Sequence, residues 1–135
     1  MSVIVDTCVW SLALRRGDNE QAPEVAALRE LIRERRVHII GPIRQEILSG
    51  IRDQRQFERL RAHLAAFPDT PLDTDDYVEA ARCSNRCRSE GIQGSGTDFL
   101  ICAAALRRNL AVFTTDVDFD RYSEVVGVVL HRLSG

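Results

Sequence analysis

Short apolar runs alternate with stretches of helical periodicity along this chain, and that alternation limits its architecture more than any other feature. Residues 2–5 (Ser-Val-Ile-Val), 37–40, 111–114 and 125–130 have the length and apolarity of strands buried on both faces. Between the first two, Val25, Leu28 and Ile32 follow Pro23 at spacings of three and four, which predicts a helix ending in the Arg33-Glu34-Arg35-Arg36 turn. Strands alternating with helices imply an α/β fold whose sheet is parallel and whose crossovers are right-handed. Ligands of such sheets bind beyond the carboxyl ends of the strands, near the point where the strand order reverses.

The remaining elements follow from periodicity and breakers. A short helix is expected after Asp6, stopping near Gly17. Gly41-Pro42 opens a helix with Ile43, Ile47 and Ile51 at intervals of four, and Phe57, Leu60, Leu64 and Phe67 mark another that stops at Pro68. Pro71-Leu72 is a poor strand at best. Thr74-Asp75-Asp76 reads as a cap leading into a helix over 77–90, closed by Gly91 and the Gly94-Ser95-Gly96 loop. From Thr97 the chain is apolar on nearly every side, which predicts a central helix capped at Asn109. Residues 115–120 read as an acidic turn before the final strand.

Composition narrows the function. With 135 residues and 44% hydrophobic content, one domain over 1–135 is expected. No apolar run approaches the roughly 20 residues that cross a bilayer, and the N-terminus lacks a secretory pattern, so the expectation is a soluble, cytoplasmic protein with no membrane partner. The net charge of −2 argues against tight nonspecific nucleic-acid binding. All 18 basic residues are arginine, a pattern that coding bias also produces, and most alternate with acids as solvated helical surface. The absence of lysine removes the P-loop and the lysine-assisted phosphotransfer sites of related sheets. Cys8, Cys83, Cys87 and Cys102 lack a disulfide framework's spacing and read as free thiols. Cys83 and Cys87 lie four apart on an expected helix, but no nearby histidine or further cysteine completes a zinc signature.

Four acids fall where a ligand should bind. Asp6 follows the first strand directly, Asp116 lies two residues beyond Thr114, and Asp98 opens the most apolar helix. Glu46, between Ile43 and Ile47, is expected at the border of a buried helical stripe. Singly, each has an ordinary structural reading as a turn, cap or surface residue. Together they suit a hard divalent cation, Mg2+ or Mn2+, which takes oxygen ligands and relieves the repulsion among clustered carboxylates. Such an ion can acidify bound water for attack on phosphorus without a protein nucleophile or a lysine.

The motifs around these acids are Val5-Asp6-Thr7, Pro42-Ile-Arg-Gln-Glu46-Ile-Leu-Ser-Gly, Thr97-Asp98-Phe-Leu-Ile-Cys-Ala-Ala-Ala and Thr114-Thr-Asp116-Val-Asp118-Phe. In order and spacing the chain resembles the PIN-domain family over essentially its whole length, and within it the VapC-type toxins of bacterial toxin–antitoxin pairs. The resemblance implies a Rossmann-like sheet of about five parallel strands in the order 3-2-1-4-5, flanked by helices. It implies that Asp6 and Asp98 are direct metal ligands, that Glu46 and Asp116 hold metal, water or a second ion, and that Thr7 and Thr114 orient the carboxylates. Asp118 is a reserve ligand that the sequence does not separate from Asp116. The family further implies cleavage of RNA, homodimerisation and inhibition by a cognate VapB-type antitoxin. Arg44, on the helix of Glu46, is a candidate substrate contact. Cys8 departs from the small residue common after Asp-Thr, with a consequence expected for packing alone.

Three other readings compete. A receiver or phosphatase domain shares the sheet but needs a lysine, or an acid where Cys8 stands. A flap-type nuclease needs a helical arch for which the chain has little room. A noncatalytic PIN-like module binding RNA or protein would be favoured by missing acids, and all four are present.

Overall fold

The computed structural model describes residues 1–14 and 22–133. Four parallel strands, β1 (Val3–Val5), β2 (Val37–His38), β3 (Ala111–Phe113) and β4 (Val129–Leu130), form one sheet in the order β2-β1-β3-β4. β1 is central, and its three residues are wholly buried, as its unbroken apolarity requires. The expected outermost strand is reduced to a single parallel bridge between Ile39 and Asp69 beside β2. Pro68 and Pro71 flank that bridge, and a proline has no N–H to extend a ladder. The topology is thus the expected 3-2-1-4-5 with its third strand shortened to one contact.

Seven helices complete the described residues: α1 (Thr7–Leu14), α2 (Pro23–Arg33), α3 (Gly41–Leu48), α4 (Gln54–Leu64), α5 (Thr74–Ser89), α6 (Gly96–Arg108) and α7 (Asp118–Val126). Gly17, the expected stop of α1, lies outside the described residues. α3 ends before Ile51: Ser49 already leaves the helix in an extended conformation, and Gly50 then turns the chain at φ +85°, a left-handed conformation that glycine adopts at no steric cost. α4 likewise stops short of Phe67, whose ring instead meets Trp10 edge-on at 5.1 Å. α6 buries Phe99, Ile101, Cys102 and three alanines, and its small residues let it run through the middle of the fold against α5.

α7 stands where no helix is expected from the sequence. Residues 118–126 form a helix where an acidic turn and a strand over 125–130 were expected, and β4 holds only Val129–Leu130. Phe119, Tyr122 and Val126 are buried at helical spacing, and Gly127 at φ +81° splits the valine run that resembles one strand.

Cys83, Cys87 and Cys102 are buried free thiols of the core. Burial pushes the Cys83 thiol up to about 11, and moves Cys87 and Cys102 in the same direction. They stay protonated and inert near neutral pH.

Candidate active site

The sheet order reverses between β1 and β3, so their carboxyl ends diverge into a crevice. Asp6 stands at its floor, only 7% exposed, anchored by its own N–H to the Phe113 carbonyl at 2.9 Å. A cavity of about 630 Å³ opens above it, and Asp6, Glu46, Asp98 and Asp116 all line it. These acids come from the end of β1, from α3, from the first turn of α6 and from the segment between β3 and α7. Among the described residues no arginine or histidine lines the cavity, so the acids have no internal counter-charge there.

Hydroxyl groups brace the carboxylates. Thr7 donates its backbone N–H to Asp6 Oδ1 at 2.7 Å and its hydroxyl to Glu46 Oε1 at 2.7 Å, joining α1, β1 and α3. Glu46 itself is exposed rather than at the edge of the buried stripe, and this bond turns its carboxylate toward the crevice. Thr114 donates to Asp6 Oδ2 at 2.8 Å while accepting the Asp116 N–H at 3.0 Å. Asp98 Oδ2 accepts the Tyr122 hydroxyl at 2.8 Å, and the Asp98 N–H is capped by Ser95 Oγ at 3.1 Å. Asp116 Oδ1 accepts the Asp118 N–H at 2.9 Å and so starts α7.

Electrostatics match this geometry. Burial pushes the Asp6 carboxyl above its ordinary value, and the neighbouring Asp98 charge adds to the rise. The Thr114 hydroxyl and Thr7 N–H oppose it by stabilising the ionised form. Two negative charges in this crevice therefore cost free energy that a bound cation would relieve.

The donor set is all oxygen, the kind that hard divalent ions prefer. Among the described residues no group of three His, Cys, Asp or Glu side chains is arranged to hold one ion. The arrangement suits Mg2+, which leans on one or two carboxylates and keeps several waters, more than a caged ion with an all-protein shell.

Asp118 separates from Asp116 here, since it is exposed and outside the cavity lining. Arg44 also turns away from the site. Its guanidinium binds Asp69 Oδ1 at 2.9 Å, the Leu64 carbonyl at 3.0 Å and the Phe67 carbonyl, fastening α3 to the end of α4. Cys8 does more than pack. Its thiol lies 3.6 Å from Asp6 Oδ2 and accepts the Thr115 N–H at 3.4 Å, within the cavity wall. Tyr122 is absent from the expected site because it falls between the turn expected over 115–120 and the strand expected over 125–130. Gln45 on α3 and Ser49, the extended residue that follows the helix, also line the cavity; the hydrogen bond from the Ser49 N–H to the Gln45 carbonyl at 2.8 Å ties them together.

The family model for the PIN domain matches residues 3–125, and the chain belongs to the PIN-domain family. Its fold is also similar to solved structures. One is FitAcB from Neisseria gonorrhoeae, at 23% identity and TM-score 0.78 over 96% of each chain. Another is VapBC2 from Rickettsia felis, solved with a DNA fragment from its promoter, at 13% identity and TM-score 0.78 over 97% of this chain and 98% of that one. A third is DNA-bound VapBC from Salmonella typhimurium, at 16% identity and TM-score 0.75 over 99% of each. At such identities the likeness carries the fold alone. No curated protein matches the chain significantly. Among the described residues no helix is long and apolar enough to cross a membrane.

Proposed function

We propose that this chain is a metal-dependent endoribonuclease and the toxin of a toxin–antitoxin pair, hydrolysing RNA phosphodiester bonds with water. The observation that carries the reading is the convergence of Asp6, Glu46, Asp98 and Asp116, from four separate elements, on one cavity without a basic residue among its described lining. Clustered acids of this kind cost stability, and the wholly buried acid outside the site, Asp76, is matched with two arginines.

Asp6 and Asp98 would hold Mg2+ or Mn2+, with Glu46 and Asp116 directed at the ion's waters. When bound, the cation supplies an acidified water and a positive charge against the charge that develops on phosphate. The protein's own groups set the geometry. Thr114 and Thr7 fix the Asp6 carboxylate and oppose the rise that burial causes, and Thr7 holds one oxygen of Glu46, leaving the other to accept a proton from attacking water. An antitoxin of VapB type is the partner this reading implies, and the fold likeness to structures named VapBC2, VapBC and FitAcB supports it; pairing with a second copy of the chain is a further expectation of the same reading. A noncatalytic PIN-like module is the second reading, and the absence of a three-acid metal cluster among the described residues is what favours it.

Incubating the purified chain with RNA and Mn2+, beside Asp6→Asn and Asp98→Asn, separates the two. Cleavage by the wild type alone supports the nuclease. Equal cleavage by all three proteins overturns the site, and no cleavage of any RNA leaves the binding module.

A further inference from the structure

Two acids of the site are held from the same helix although neither belongs to it. Asp116 receives the N–H of Asp118, the first residue of α7, and Asp98 receives the Tyr122 hydroxyl one turn further on. α7 therefore spans the gap between the α6 acid and the acid that follows β3.

The Tyr122 hydroxyl has little freedom. Its residue is wholly buried, and its ring packs against Phe99 at 5.2 Å and Phe119 at 5.0 Å between centroids. A phenol carries its proton throughout the physiological range, and this one donates it to Asp98 Oδ2 at 2.8 Å. Room for it is kept by Gly94. A Cβ at that position would lie 2.8 Å from Tyr122 Cζ and 3.0 Å from Phe99 Cζ, and closer still to the hydroxyl oxygen. Gly94 does not adopt the left-handed backbone conformation, so its missing side chain serves space.

We propose that Tyr122 is a positioning residue, fixing Asp98 through Oδ2 so that Oδ1 is the oxygen offered to a divalent cation, with Gly94 reserving the space for that contact. The inference rests on the metal-dependent reading above. A carboxylate near the start of a helix samples several rotamers, and ordering it before the ligand arrives removes that cost from binding. Outer hydrogen bonds to metal ligands commonly change affinity by about 10–100-fold. A purely structural tyrosine would instead satisfy its buried hydroxyl and leave metal affinity untouched.

The test is Mn2+ titration calorimetry on the wild type, Tyr122→Phe and Gly94→Ala, at a temperature where melting curves show each folded. Both variants are expected to bind Mn2+ about tenfold more weakly or worse, with the RNA concentration at half-saturation unchanged. Gly94→Ala keeps the hydroxyl but crowds it, and it carries the comparison alone should Tyr122→Phe not fold. Affinities equal to the wild type, even with a lowered melting temperature, overturn the positioning role while leaving the metal site intact. No Mn2+ binding by the wild type overturns the metal reading, and the positioning role falls with it.

Discussion

The two ends of α6 hold acids in opposite circumstances. At its N-terminal end Asp98 faces the crevice with Asp6, Glu46 and Asp116, and no described arginine lines that cavity. At its C-terminal end Arg107 and Arg108 meet the start of α5, where Asp73 and Asp76 form a reciprocal capping box. Asp76 is wholly buried, yet it takes Arg107 at 2.7 Å and both oxygens accept from Arg108, at 2.7 and 2.8 Å. The carboxyls respond in opposite directions. The Arg108 hydrogen bonds hold Asp76 well below the usual carboxylate range, whereas burial lifts Asp6 above it. One cluster is neutralised from within and serves the fold. The other has no counter-charge among its described lining, the arrangement that a bound cation would complete.

Removing a partner from the neutralised cluster should have the largest effect. Asp76→Ala leaves two arginines facing a vacated buried site and is expected to cost about 3–5 kcal/mol of stability, read as a lowered midpoint in urea. Asp98→Asn should instead fold normally and lose RNA cleavage by about 100-fold or more, beyond the usual cost of an outer-shell partner. Thr114→Val removes the hydroxyl on Asp6 Oδ2 and should lower cleavage by about tenfold, measured at saturating RNA.

Changing pH sharpens the same contrast. Asp76 has a depressed folded value, so its stabilisation is present above the unfolded value of about 3.9 and is lost as pH falls through the folded value. The stability gap between wild type and Asp76→Asn should therefore narrow below about pH 4. Asp6 has a raised folded value, so its contribution is fully present below the unfolded value and is lost as pH rises through the folded one. In metal-free buffer Asp6→Asn should match or exceed wild-type stability near neutral pH, with the difference vanishing in acid. Asp118→Asn, outside the cavity, should change stability by no more than about 0.5 kcal/mol and leave cleavage intact.

The two clusters were not equally legible in the sequence. Asp6 is readable because a continuous apolar run stops at it, and strand ends are where such sheets bind ligands. Asp98 is readable from the apolar helix that it opens. The Asp76 cluster is readable only as a helix cap, because its arginine partners lie 31 and 32 residues away and their approach depends on how α5 packs along α6. α7 and Tyr122 were hidden for a local reason. Val125 to Leu130 imitates a buried strand, while the helical spacing of Phe119, Tyr122 and Val126 is diluted by three acids in six residues. Cys8 and Thr114 touch across 106 residues of sequence, a contact set by the pairing of β1 with β3.

Thermal melting with and without Mn2+ tests the incomplete cluster most directly. Near neutral pH, saturating Mn2+ should raise the wild-type melting temperature, since a ligand at about 100 times its Kd adds roughly 2.7 kcal/mol. Asp6→Asn should start at or above the metal-free wild type and not respond, while Asp76→Asn should start lower and still respond. A wild type indifferent to Mn2+, or an Asp6→Asn protein that responds equally, would contradict a metal site at the junction of β1, α3, α6 and β3.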